Sequence, residues 1–354
     1  MFLFAAAYAA EPPTATLAGP PASTADEARV TGLKVSLAPG VGLSASPETA
    51  VDGLGLGLFS MSPSFRGLDA ELAVSWVEGP MTGVQTAVGL TVAHDVDGMQ
   101  ASSGLAWARG DVTLAQLSAG ASIAEGNVRG LQASSGLSVA GGTVTGLQTA
   151  PLVVADGVDG VQAGVLSIAD HVRGAQFGVV NVGGDVNGLQ LGVVNVARTS
   201  KVSIAPLNFV GDGLHRVDVW ASESAVGSIA AKFGSRNVYT LLGAGLVNPN
   251  QPWWTFGGGF GVHFPTGPVW LEVDDSVWSL AAGNVLVPGF HNKLRAQVGV
   301  DLVKGHLAPF AGVSINTWYG LGKVAPRAVG GLPEWADTTR RVVAWPGVHA
   351  GVSF

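Results

Sequence analysis

The feature that most restricts how this chain can fold is a segment that recurs almost verbatim after a short interval. Gly174-Ala175-Gln176-Phe177-Gly178-Val179-Val180-Asn181-Val182 is followed one period later by Gly188-Leu189-Gln190-Leu191-Gly192-Val193-Val194-Asn195-Val196. Upstream, Gln162, Gln148, Gln132, Gln116, Gln100 and Gln85 hold the equivalent position, and weaker copies begin at Gly67 and Gly53. The spacing of 14 to 16 residues is too short for a helical hairpin repeat, a propeller blade or a leucine-rich repeat. It fits one turn of a small β-solenoid, in which each turn buries its neighbours.

Within a unit the side-chain alternation changes parity near Gly192. Read on hydrophobicity, Leu189 and Leu191 flank an outward Gln190, while Val194 and Val196 flank an outward Asn195. One straight strand cannot place both aliphatic pairs on one face, but two short strands joined at a glycine corner can. Val186, with its equivalents Val172, Val158 and Val144, is a further inward position. Gln132, Gln148, Gln162, Gln176 and Gln190 are expected to stack in register as a structural ladder, as are Asn181 and Asn195.

Composition agrees with strands. There are 52 glycines in 354 residues and only 12% charged residues, against an average glycine content of about 7%, and glycine at that level opposes long helices. No run of apolar residues reaches the roughly 18 needed for a membrane helix. A net charge of −7 without a basic patch argues against a nucleic-acid partner. With no cysteine there is neither a disulfide framework nor thiolate chemistry.

Residues 1–10 read as the apolar end of a secretory signal lacking its positive start, and 11–29 as a Pro/Ala/Thr-rich linker. The repeat domain is expected over 30–212. After Gly211-Asp212-Gly213 the texture changes, and 213–354 reads as an antiparallel, barrel-like domain. Its candidate strands are 217–223, 225–233, 238–246, 253–264, 268–276, 294–303, 307–318 and 341–354, separated by Asn-, Pro- and Gly-rich turns. The fold class is therefore all-β: short-period β-solenoid repeats followed by an antiparallel meander or barrel.

Aromatics concentrate in this second part. Trp253, Trp254, Trp270, Trp318, Trp345 and the terminal Phe354 are candidates for the interfacial girdle of a membrane barrel, with the core of a soluble sheet as the other reading; the first makes lipid of an outer membrane the expected partner. Strand 268–276 alternates Leu271 and Val273 with Glu272 and Asp274, one set for lipid or core and the other for a lumen or solvent.

Catalytic and metal signals are weak. His94, His171, His215, His263, His291, His306 and His349 have no zinc-ligand spacing and read as surface residues. The Asp and Asn residues near Asp95, Asp156 and Asp185 offer too few oxygens for calcium and suit turns instead. Gly257-Gly258-Gly259-Phe260-Gly261 lies inside a strand pattern with no following helix, so it is not a nucleotide loop. No metal, cofactor or catalytic residue is assigned, and the chain is not expected to be an enzyme.

The unit at 188–197, the exit through Ala205-Pro206-Leu207-Asn208 and the strand-rich segment after it resemble the surface-repeat proteins of spirochaetes and Bacteroidetes. A second resemblance, to the short-period head repeats of trimeric adhesins, lacks a following coiled-coil stalk. The first implies a cell-envelope protein, at the outer membrane or cell surface, acting as a structural or adhesive scaffold for an unassigned ligand. Homo-oligomerisation is left open. The rival expectation is a transport pore in which the repeats are antiparallel hairpins of one large barrel.

Overall fold

The computed structural model describes residues 30–248, 253–302, 307–321, 335–336 and 341–354. The leader and linker readings for 1–29, and His306, lie outside them.

Two sheets account for the described residues. The first has 17 strands running from Val30–Ala38 to Leu207–Val210. Apart from a short antiparallel contact between Val30–Ala38 and Val41–Leu43, its neighbours pair in parallel, and the register follows the repeat. Gln132 stands beside Gln148, Gln148 beside Gln162, and Gln176 beside Gln190. Parallel pairing between successive units is what a solenoid requires and what a barrel of hairpins forbids.

The glycine of each Gly-x-Gln unit explains the tight stacking. Gly130, Gly146 and Gly160 have φ of 118°, 130° and 151°, a region that costs an L-residue about 1–2 kcal/mol. A Cβ on Gly146 would lie 2.1 Å from the carbonyl oxygen of Gly130, one turn below. Leu114 occupies this column between Gly98 and Gly130 and holds φ 92°. Its side chain is 63% exposed, so little packing offsets the strain. Leu114→Gly is therefore expected to raise stability by about 1 kcal/mol, and Gly146→Ala to lower it by more, both readable as shifts of the urea midpoint.

The interior corrects the expected parity. Gln190 and Asn195 are fully buried, whereas Leu191 is 42% and Val196 39% exposed. The corner near Gly192 exists, because two inward residues five positions apart need a parity change, but the aliphatic pairs point out. The reason is width: opposed strands this close leave room for amides that bond one another, with Ser, Asn and Ala facing them. Val144, Val158, Val172 and Val186 do point inward, in one cluster with Ala140, Ala155, Ala169 and Ala197.

The second sheet is antiparallel. Eight strands, Leu214–Ser222, Ala225–Gly234, Val238–Asn248, Trp253–Thr266, Val269–Ala282, Gly289–Val300, Ala308–Gly320 and Val342–Ser353, pair in sequence. The last also pairs with the first, Trp220 against Gly351, so the ring closes. Each expected strand has a counterpart, most of them extended by a few residues.

The solenoid sits on one mouth of this barrel. Thr240 Oγ1 donates to the Ala205 carbonyl at 2.5 Å, and His215 Nε2 meets the Val210 carbonyl at 2.7 Å. Phe209 stacks on Phe233, with ring centroids 6.2 Å apart.

Candidate functional site

Three buried polar arrays are candidates for function. The longest is the glutamine ladder. From Gln100 to Gln190, each Nε2 donates to the Oε1 of the glutamine one turn before, at 2.8–3.0 Å. The same amide reaches across the turn: Gln132 Nε2 also donates to the Val139 carbonyl at 2.8 Å. Beside it, Asn181 Nδ2 donates to Asn195 Oδ1 at 2.9 Å, and Asn195 Nδ2 to Ser203 Oγ at 2.9 Å. The glutamine amides bond one another turn by turn, so the array stiffens the stack and presents nothing outward.

Sequence reasoning missed how the ladder begins. Its register continues from Gln85 through Asp69 and Gly55 to Lys34, and both charged side chains are fully buried. Gly55 leaves the space, since a Cβ there would lie 2.5 Å from Asp69 Oδ1. Asp69 accepts from Ser75 Oγ, which in turn accepts from Gln85 Nε2 at 2.7 Å. Glu71 is 5% exposed and lines a groove of about 600 Å³ along the glycine corner, with Thr86, Ser102, Ser118 and Ser134. Burial pushes the Asp69 carboxyl up and the Lys34 ammonium down. Burial, reinforced by the charge of Asp69, raises Glu71 to about 8. Extending the repeat alignment past Gln85 would have placed Asp69 and Lys34 inside.

That shift makes a pH prediction. Unfolded, Glu71 titrates near 4.5; folded, near 8. Between those values the native state keeps a proton that the unfolded chain has released, so this group's contribution to stability falls as pH rises through the window. Glu71→Gln is expected to match the parent near pH 4 and to exceed it by on the order of 2 kcal/mol at pH 9. Denaturant midpoints measured across that range check it, and parallel curves for the two proteins would refute it.

The corner acids are structural. Asp95 Oδ1 accepts from the Asp111 amide, Asp111 Oδ1 from the Asn127 amide and Asn127 Oδ1 from the Thr143 amide, at 2.8–2.9 Å. Farther along, Asp159 and Asp185 pair with Arg173 and Arg198.

The third array fills the barrel. Lys232 lies 2.5 Å from both Asp218 and Glu272, each fully buried. Glu272 also meets His263 Nδ1 at 2.8 Å and accepts from Gln297 Nε2 at 2.7 Å. Arg295 donates to both oxygens of Asp274, at 2.8 and 3.0 Å, and its guanidinium lies over the Trp220 ring at 4.6 Å. Tyr239 OH donates to Asp274 Oδ2 at 3.0 Å.

The aromatic expectation is corrected here. Trp270, Trp318 and Trp345 are 1%, 1% and 3% exposed and fill the interior instead of a girdle; Trp253 packs partly against the last two. Trp254 and Phe354 are exposed, at 51% and 54%. The inward rings need facing glycines: a Cβ on Gly299 would lie 2.1 Å from Trp270, and one on Gly257 2.9 Å from Trp278. Among the histidines, His263 and His349 are buried rather than surface residues. The outer face carries the apolar set, Leu271, Val273, Phe256, Phe260, Val313 and Ile315 among them, all more than a third exposed.

Among the described residues no group of three His, Cys, Asp or Glu side chains is arranged to hold a metal ion. No family model matches the chain, and neither a curated protein nor a solved structure does.

Proposed function

We propose that the chain is a non-enzymatic envelope scaffold whose barrel anchors it in an outer membrane and whose solenoid is a rigid extension. The observation that carries this reading is the inverted barrel. Charged side chains buried to 0–2% exposure face in, at Asp218, Lys232, Glu272, Asp274 and Arg295, while aliphatic and aromatic residues face out. A soluble sheet has the opposite arrangement, whereas a lipid-facing barrel needs this one. Strands of 9–14 residues meet the roughly 9–11 that span a bilayer at a tilt.

The paired ions and Trp rings that occupy the lumen favour an anchor over a pore. The connections at the solenoid mouth are 235–237, 267–268 and 301–307, against 223–224, 249–252, 283–288 and 321–341 at the far mouth, so the longest stretch of chain between consecutive long strands belongs to the far one. Short turns face the periplasm in such barrels, so the solenoid belongs on that side.

The chain lacks cysteine, so single-cysteine variants report orientation cleanly. On intact cells an impermeant maleimide should label Asn284→Cys, at the far mouth, and reach Thr145→Cys only after permeabilisation. The reverse pattern would place the solenoid on the surface. Purified protein should co-fractionate with outer membrane, change mobility on heating in detergent and give no stepwise current in a planar bilayer; stepwise currents would remove the anchor reading.

A further inference from the structure

Each solenoid turn exposes two strand faces, and they differ in kind. On the strand that carries the glutamines, an outward column reads Asp52, Arg66, Thr82, Asp97, Thr113 and Arg129, beside two further outward columns in which Leu68, Leu147, Phe177 and Leu191 are more than a third exposed. On the opposite strand both outward columns are apolar from Phe59 and Met61, through Leu137 and Val139, to Leu207 and Phe209. No ionisable or polar residue interrupts either column. Val196, Leu207 and Phe209 are 39%, 42% and 52% exposed, and the other members are half-buried apart from Val92, which is fully buried.

From this face we infer that the protein is a homodimer, two copies packing their apolar solenoid faces together about a twofold axis parallel to the stack. The axis rests on the membrane-anchor reading, because only that direction lets both barrels enter one bilayer from the same side. Size supports a second copy. Eleven strands at about 4.8 Å make the face roughly 50 Å long, and four residues across make it about 13 Å wide. That footprint of roughly 650 Å² is of the order of the 800 Å² per partner of a standard stable interface. Its length also exceeds the roughly 30 Å of a hydrocarbon core, and the stack rises away from the barrel mouth, so lipid cannot cover it all. Phe209, stacked on Phe233, carries the apolar surface onto the barrel itself.

A parallel axis sets each turn against its own copy, which gives a distinctive test in the full-length protein. Ile123→Cys and Ile168→Cys lie on the face about 14 Å apart along the stack, and Thr145→Cys lies on the other strand. In detergent, a bis-maleimide shorter than that separation should couple Ile123→Cys to itself and Ile168→Cys to itself. It should form no mixed dimers when differently tagged chains are combined, and leave Thr145→Cys monomeric. The parent should have twice the chain mass by sedimentation, and Val182→Lys should reduce it to one with heat-modifiable mobility retained. Monomeric mass for the parent, mixed dimers, or protection of Ile168→Cys by added liposomes without self-coupling would each overturn the dimer. Heat modifiability and membrane fractionation test the anchor separately, so a failed anchor with intact self-coupling is distinguishable from a failed dimer.

Discussion

Lys232→Met is expected to destabilise the barrel by about 3–5 kcal/mol, the usual cost of leaving buried charges without their partner. Lys232 is the shared cation of Asp218 and Glu272, at 2.5 Å from each, and all three are fully buried. Methionine keeps most of the side-chain volume, so the loss isolates charge from packing. Glu272 would retain His263 and Gln297, while Asp218 would face the lumen without its ion-pair partner. Urea unfolding in detergent, followed through the emission of buried Trp220, Trp270 and Trp278, gives the number. Adding Asp218→Asn to Lys232→Met should recover part of the loss. A single-variant loss below about 1 kcal/mol, the level of an exposed ion pair, would mean that water reaches the lumen and that the interior is an open channel.

Gln132→Leu is expected to cost about 3 kcal/mol, this time in the solenoid. Gln132 is mid-ladder: its Nε2 donates to Gln116 Oε1 and its Oε1 accepts from Gln148 Nε2, both at 2.8 Å, with a further bond to the Val139 carbonyl. Leucine has a comparable volume but removes all three contacts, and each buried group left unpaired costs roughly 1–3 kcal/mol. Far-UV circular dichroism against denaturant measures the loss, and hydrogen exchange should rise first in the turns flanking residue 132. Substituting every glutamine with leucine at once would be gentler per site than a single change, because no side-chain amide would be left without a partner and only the carbonyls across the turn would lose a donor. A single variant as stable as the parent would show that the ladder does not hold the stack together.

Much of the fold was legible because period is a property of spacing alone. The Gln176 and Gln190 copies gave the length of a turn, and the change of parity between Gln190 and Asn195 gave the corner. Assignment of faces failed at the same residues, because hydrophobicity was allowed to choose the inside. In a coil this narrow, an amide column satisfies itself turn by turn and therefore outcompetes Leu189 and Leu191 for the interior. The barrel strands were readable from their turns. The destination of Trp270, Trp318 and Trp345 was not: a lone tryptophan in a strand gives no sign of its side, and the cue lay on neighbouring strands, in Gly299 opposite Trp270 and Gly257 opposite Trp278. Lys232, Asp218 and Glu272 are 14 to 54 residues apart in sequence, and only barrel closure brings them together.

The seating of the last solenoid turn on the barrel has a consequence for how copies of this chain behave in a crowd. A parallel stack that ends in a bare strand is a template on which another chain can add, the first step toward a growing fibre. Here the terminal turn, residues 205–210, meets the barrel mouth at both ends, Ala205 through Thr240 and Val210 through His215, so elongation from that end is blocked by the very part that fastens the molecule in place.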